Sequence, residues 1–336
     1  MKIHKKRKFF MPLNELMKFH RKELQMSQEE FYSGIFLRKS ATQFEVHNKH
    51  SLKITDIPIL LDRSELSLQE LINYSPEEFT SEFDKDLSHY YQLVDAFFKE
   101  KDLETKKEIE SFYKKVLDNY MDSIKYMNLY FMMKYTLSDK IEKITPIDKP
   151  DLLDVKKKFK NYTKYTLFHY KILANICSAF SYEELKPLID SMFPIDKNAP
   201  YSLKEAVVIF LENFIGKYMF EKNYDTVFLL LDMYKDLLLN MQSYKYKLNY
   251  TANKNIVLYL TTKNLSYLNK VVDYTELIED VEGPEIAQQI RYNLHKLISN
   301  ENDEQAEKFI GIINDSGEIF NYKNVPEKNY QEKRSD

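Results

Sequence analysis

Ser27-Gln28-Glu29-Glu30-Phe31-Tyr32-Ser33-Gly34-Ile35-Phe36-Leu37-Arg38-Lys39-Ser40-Ala41-Thr42-Gln43-Phe44-Glu45 is the stretch of this 336-residue chain whose reading decides the fold of its N-terminal part. Ser27 with Glu30 three residues on is a capping box, in which the Ser oxygen accepts from the N3 amide while the Glu reaches back to the Ser amide. A short helix over about 27–34 follows, then a turn at Gly34-Ile35-Phe36, then a second helix over 38–46. Upstream, Leu13, Leu16, Met17, Phe19 and Leu24 are expected to place apolar side chains on one face of a first helix, about 13–24. Small Ala41 and apolar Phe44 then face inward at i, i+3, which leaves Arg38, Lys39, Thr42 and Gln43 outward with Ser40 beside them. Arg and Lys can donate to guanine O6/N7 or to phosphate, and Gln can pair with adenine through two bonds. All can do so from the first turns of a helix lying in a major groove.

Outward from that stretch, composition favours helices throughout. The chain holds 5 Gly, 10 Pro and 43% hydrophobic residues. Dinucleotide fingerprints, phosphate-binding loops and Gly-flanked nucleophile elbows all need clustered glycine, and none is present. Helix starts are legible because the S-x-x-E box recurs at Ser67/Glu70, Ser75/Glu78, Ser181/Glu184 and Ser202/Glu205. Ser75-Pro76-Glu77-Glu78 reads as the strongest, since Pro at the first helical position needs no donor and acids favour the positive helix end. A domain boundary at Ser75 follows. Before it, further short helices are expected over 55–64, with Thr55 as cap and Pro58 in the first turn, and over 68–74. After it, longer helices are expected over 76–100, 103–138, 150–180, 182–192, 202–220, 224–241, 244–263, 265–280, 284–298 and 303–313. Short joins between consecutive helices make neighbours antiparallel. The expected fold is all-α: a basic extension (1–12), a helix-turn-helix domain (13–74), a right-handed tetratricopeptide-like helical repeat body (75–320) and a flexible tail (321–336). The repeat consensus itself is absent, so the likeness to tetratricopeptide repeats is one of geometry.

The net charge of −3 conceals an asymmetry. Residues 1–75 carry 13 Lys+Arg against 9 Asp+Glu, and the remainder carries 36 against 43. A basic head on an acidic body suits a nucleic-acid reader, and equally a solvated basic tail. The single Cys, Cys177, can form neither an internal disulfide nor a Cys-based zinc site, and is expected to be a small buried side chain. No metal spacing, cofactor motif or catalytic constellation emerges from the His residues or elsewhere, so no metal, no cofactor and no enzyme activity are expected. No signal-peptide core follows the basic N-terminus, and no apolar run approaches the ~20 residues of a membrane span. No membrane partner and a cytoplasmic location are the expectation.

The phrase from Ser27 to Glu45 resembles the Xre-type helix-turn-helix of bacterial regulators, with its S-Q-E-E-L start and its apolar-Glu end, here Phe44-Glu45. The Ser27-to-Glu45 separation and Phe31-Tyr32-Ser33-Gly34-Ile35 are more similar to the Rgg and PrgX regulators than to phage repressors, whose turn is one residue longer. Leu66-Ser67-Leu68-Gln69-Glu70-Leu71 is similar to the fifth helix of that family. Two positions depart from the pattern: Ala41 stands where a larger aliphatic is usual, and His47 near a usual Gly. The resemblance implies a DNA-phosphate role for Gln28, base-edge or groove roles for Arg38, Lys39, Ser40, Thr42 and Gln43, and a structural pair, Arg21 with Glu45, tying the first helix to the end of the third.

It also implies a helical body that binds a short signalling peptide, as in quorum sensing, and forms a homodimer that sets two heads on a two-fold double-stranded DNA operator. Asn amides can bond the backbone of an extended peptide while aromatic pockets read its side chains. Asn175, Asn213, Asn249 and Asn253, with Tyr246 and Tyr250, are the candidates. Two alternatives stay open: a helical-repeat peptide receptor acting on a protein partner without DNA, such as a response-regulator phosphatase, and a repressor whose body only dimerises.

Overall fold

The computed structural model describes residues 10–49, 51–100 and 103–299. Among them are seventeen α-helices and no strand. They divide into two compact units, the first ending at Glu100. The expected extension over 1–12 lies mostly outside the described residues, and the helix at 303–313 and the tail lie wholly outside them.

The first unit holds α1 (Leu13–Glu23), α2 (Gln28–Phe31), α3 (Arg38–His47), a 3-10 turn (Ile54–Asp56), α4 (Ile57–Ser64), α5 (Leu68–Tyr74), α6 (Pro76–Phe79) and α7 (Glu82–Glu100). Leu16 and Met17 of α1, Phe31 and Tyr32, Ala41 and Phe44 of α3, Leu60 of α4 and Leu71 of α5 close one core. Its centre is aromatic: the Tyr32 ring stands edge-on to Phe44 at 5.9 Å and to Phe31 at 5.0 Å. Gly34, at φ +76°, turns the chain between α2 and α3 in a conformation that L side chains rarely adopt. Asn48 takes the left-handed position after α3, φ 51°, a place Asn tolerates better than most residues.

Capping follows the Ser-x-x-Glu reading at three sites and departs from it at two. Ser27/Glu30, Ser67/Glu70 and Ser181/Glu184 form complete boxes. Ser75 does not cap: its Oγ donates to the Met11 carbonyl at 2.6 Å, and Met11 N donates to the Tyr74 carbonyl at 2.9 Å. The residue read as a helix start instead ties the chain entering α1 to the end of α5, and α6 lasts only four residues. Ser202 lies inside the first turn of its helix, which starts at Tyr201 after Pro200, and Glu205 accepts from the Tyr246 hydroxyl at 3.0 Å instead. Asp56, not Thr55, is the residue before α4. Phe19 is 45% exposed, because at 100° per residue it lies off the stripe set by Leu13, Leu16 and Met17.

The second unit runs through α8 (Leu103–Asn119), α9 (Ile124–Leu137), α10 (Lys149–Phe159), α11 (Leu167–Ile176), α12 (Tyr182–Met192), α13 (Tyr201–Phe220), α14 (Tyr224–Leu238), α15 (Tyr244–Thr262), α16 (Leu265–Glu282) and α17 (Pro284–Ser299). Two expected long helices are therefore broken. Between α8 and α9 the chain turns at residues 120–123, where Lys158 of α10 donates to the Met121 and Asp122 carbonyls at 2.7 and 3.1 Å. Those carbonyls take a distant lysine instead of a fourth-residue amide, so no local Gly or Pro marks the break. Between α10 and α11, Thr166 N donates to His169 Nδ1 at 3.0 Å, a capping arrangement that starts α11. The span expected as 76–100 is likewise two helices, parted at Thr80-Ser81.

Consecutive helices pack pairwise from α13 to α17, while α9, α11 and α13 also pack in succession, and α13 reaches α15. That alternation is what stacked helix pairs produce. It explains why α13 is apolar on nearly all sides: Val207, Phe210, Leu211, Phe214 and Ile215 are all fully buried between α11 on one side and α14 and α15 on the other. Phe228 is exposed, and Val227 and Leu230 take the inward positions of α14. A buried ion pair, Lys134 Nζ to Asp151 Oδ2 at 2.5 Å, joins α9 to α10, with the Tyr130 hydroxyl donating to Asp151 Oδ1 at 3.0 Å.

Candidate nucleic-acid interface and ligand cavity

Glu45 organises the first unit. Its carboxylate is almost fully buried and takes Arg21 through two bonds, Nε at 2.6 Å and Nη2 at 2.9 Å. Arg21 Nη1 also donates to the Met26 carbonyl at 2.8 Å, so one guanidinium binds α1 to the α1–α2 turn and to α3. Gln28 Nε2 donates to the same carboxylate at 2.7 Å. Its Oε1 accepts from Thr42 Oγ1 at 2.8 Å, although that hydroxyl also lies within reach of the Arg38 carbonyl. Burial works to raise the pKa of Glu45, but the bonds from Arg21 and Gln28 outweigh it, and the carboxyl is held below the ordinary range. Tyr32 sits beside it with a buried hydroxyl lacking a well-directed hydrogen bond, and burial together with the Glu45 charge keeps that phenol neutral.

The cluster fixes the middle and last turn of α3 against α1 and α2, and the first turn of α3 keeps its charged side chains outward. Arg38, Lys39 and Thr42 are exposed, whereas Ser40 and Gln43 are half-buried. Gln28 is not a free amide at a helix start: it is held by Glu45 and Thr42, and half-buried. The structure thus brings Gln28 and Thr42 together, two residues whose sequence roles were read separately. One residue on this face escaped the sequence reading. Leu37, immediately before α3, is 82% exposed. It places a large aliphatic side chain beside the exposed Arg38 and Lys39. Its only sequence signal is an apolar residue at a helix N-cap, where a polar one is the rule.

In the second unit, α13, α15, α16 and α17 line an open cavity of about 360 Å³. Its walls are chiefly aliphatic, with Asn249, Asn253 and Asn293 as amides and Glu212 as the one carboxylate among the described residues. Two of the six peptide-binding candidates, Asn249 and Asn253, line it. The others are engaged elsewhere. Asn175 Nδ2 donates to Asn128 Oδ1 at 3.3 Å and Asn213 Nδ2 to the Ala174 carbonyl at 3.1 Å, which pins α13 to α11. Tyr246 donates to Glu205, and the Tyr250 ring stands edge-on to Tyr234 at 5.6 Å. Asn249 is itself fixed, with Nδ2 donating to Glu212 Oε1 at 3.0 Å and Oδ1 accepting from Tyr274 at 2.7 Å. Glu212 and Tyr274 were missed by the sequence reading, since neither residue alone differs from a surface Glu or a core Tyr. Burial pushes the Glu212 carboxyl up, against the lowering effect of its bonds from Tyr234 and Asn249 and of nearby Lys245.

Among the described residues no group of three His, Cys, Asp or Glu could hold a metal ion, and no helix is long and apolar enough to cross a membrane. Cys177 is fully buried, and burial raises its thiol to about 12.

No protein-family profile and no curated protein matches the chain. Its fold is nevertheless similar to solved structures. PrgX is 18% identical with a TM-score of 0.72, over 93% of this chain and 99% of PrgX. A bacterial peptide pheromone–receptor complex, described with its mechanism of gene regulation, is 17% identical with a TM-score of 0.71, over 87% and 99%. The SHP pheromone receptor Rgg2 of Streptococcus dysgalactiae is 14% identical with a TM-score of 0.64, over 84% and 99%. PrgX and Rgg2 are members of the two regulator groups that the Ser27-to-Glu45 phrase resembles, and the likeness spans head and body alike.

Proposed function

We propose that this chain is a cytoplasmic, non-enzymatic transcriptional regulator: a head over residues 13–74 that reads double-stranded DNA, and a body over 75–320 that binds a short signalling peptide and pairs as a homodimer. The observation that carries the proposal is the exposed Arg38, Lys39 and Thr42 face of α3, braced from behind by the Arg21–Glu45–Gln28 cluster. A helix held rigidly by a buried ion pair, with its cations outward, presents fixed donors to a groove. The basic balance of residues 1–75 supplies the attraction to phosphate. The likeness of the body to pheromone receptors, and the cavity lined by Asn249 and Asn253, support the peptide. The peptide then acts by population shift, and a tenfold preference for one dimer arrangement is worth about 1.4 kcal/mol.

The test is fluorescence anisotropy of the purified protein on a duplex from upstream of its own gene, against random duplex, at two salt concentrations. Preference for its own fragment, abolished in Arg38→Ala/Gln43→Ala, is the expected result. Equal or absent binding to both duplexes would turn the reading to a peptide receptor that acts on a protein partner.

A further inference from the structure

Among the described residues, the cavity between α13, α15, α16 and α17 has one acidic group and no Lys, Arg or His on its walls. That acid, Glu212, is held in an unusual way. Both of its structural donors, the Tyr234 hydroxyl at 2.7 Å and Asn249 Nδ2 at 3.0 Å, converge on Oε1. Oε2 has no hydrogen-bond or ion-pair partner among the described residues. Around it the wall is apolar, with Met219, Ala252, Ile256 and Leu294 among the lining side chains. The charge of Lys245 reaches Glu212 from an exposed position at the start of α15, outside the lining. A half-buried carboxylate oriented by two neutral donors and walled by aliphatic groups has no cation beside it on the cavity wall among the described residues. Charge complementarity names the missing partner.

We infer that Glu212 makes this cavity select, among apolar peptides, those that bring a cationic nitrogen to Oε2, either the N-terminal ammonium or a Lys or Arg side chain. The inference rests on the reading of the body as a peptide receptor and deepens it. Asn249 holds Glu212 in place, Asn253 remains to bond the peptide backbone, and Asn293, whose Oδ1 accepts from Gln289 at 3.2 Å, offers its Nδ2. The apolar wall takes the rest of the ligand, and the ammonium or guanidinium donates to Oε2. Glu212 is thereby the specificity-determining residue of the cavity.

The experiment is affinity selection from a synthetic random heptapeptide library, in free and N-acetylated versions, on full-length wild type and on Glu212→Gln. The variant keeps an acceptor for Tyr234 and Asn249 and removes the charge. The expected result is that wild type enriches apolar peptides bearing a cation and that Glu212→Gln loses this enrichment. Loss of enrichment in the acetylated library assigns the cation to the N-terminus; its persistence assigns it to a side chain, and either supports the inference. A second measurement needs no variant: replacing the selected cation by norleucine or an acetyl cap should weaken binding to wild type at least tenfold. Enrichment of apolar peptides without cation preference, or with a preference that Glu212→Gln retains, overturns the role of Glu212 and leaves the peptide receptor standing. Enrichment of no peptide by wild type overturns the receptor reading and the inference with it.

Discussion

Arg38 and Gln43 differ from Gln28 in what their loss should do. Arg38→Ala or Gln43→Ala should cost about 1–3 kcal/mol at one base position and relax specificity there, measured by anisotropy over a set of single-base operator variants. Gln28→Ala should weaken binding to every sequence alike, and because its amide also holds Glu45 and Thr42 it should lower the melting temperature as well. Equal loss on specific and random DNA for Arg38→Ala would remove that residue from the base-reading set. Glu45 is a matter of stability. Removing one partner of a buried ion pair leaves the other uncompensated, so Glu45→Gln should destabilise the first unit by about 3–5 kcal/mol in denaturant titrations. The pH dependence has a definite sign. The native pKa of Glu45 lies below the ordinary 4.5, so its contribution is present above that value and is lost as pH falls through the lower, native one. Glu45→Gln should therefore flatten the acid limb of the stability profile. The Arg21–Glu45 pairing was legible through the family resemblance, but the part played by Gln28 was not, because a bond to a residue 17 positions away leaves no local trace.

At the scale of single helices, local chemistry decides the start only when no distant group competes. Ser181→Ala should cost about 1 kcal/mol, since Ser181 makes its complete box, while Ser202→Ala, inside a first turn, should stay within about 0.5 kcal/mol. Ser75→Ala should also destabilise, by about 1 kcal/mol, but through the lost bond to Met11. Deleting residues 1–11 should abolish the Ser75→Ala effect and leave that of Ser181→Ala intact, as followed by thermal melts. The breaks at 120–123 and 160–166 follow the same logic. Lys158 reaches back 37 residues to the Met121 carbonyl, which a pattern of apolar periodicity could not have signalled.

For the whole molecule, binding should be salt-dependent and symmetric. Each phosphate neutralised by the head releases counterions, so the affinity should fall steeply with salt for specific and random duplex alike. A homodimer reading a two-fold operator should protect two half-sites separated by a whole number of helical turns, about 34–36 Å per turn, in hydroxyl-radical footprints. A single unrepeated protected stretch would contradict the homodimer. The all-α class was readable from scarce glycine, recurrent capping boxes and helical spacing of apolar residues, and the long helical body from its short connections.

What the sequence by itself determined are features whose causes lie within one or two helical turns. The capping of α2, the inward Ala41 and Phe44 and the outward Arg38 and Lys39 all follow from i, i+3 spacing and short-range hydrogen bonds. What only the tertiary structure decided are features made by residues far apart in the chain. Glu212, Asn249, Tyr274 and Leu294 come from four helices, and only the stacking of those helices turns them into one cavity with one carboxylate. The orientation of that carboxylate depends on Tyr234 and Asn249 reaching one oxygen from two other helices, which is a property of packing and not of any segment.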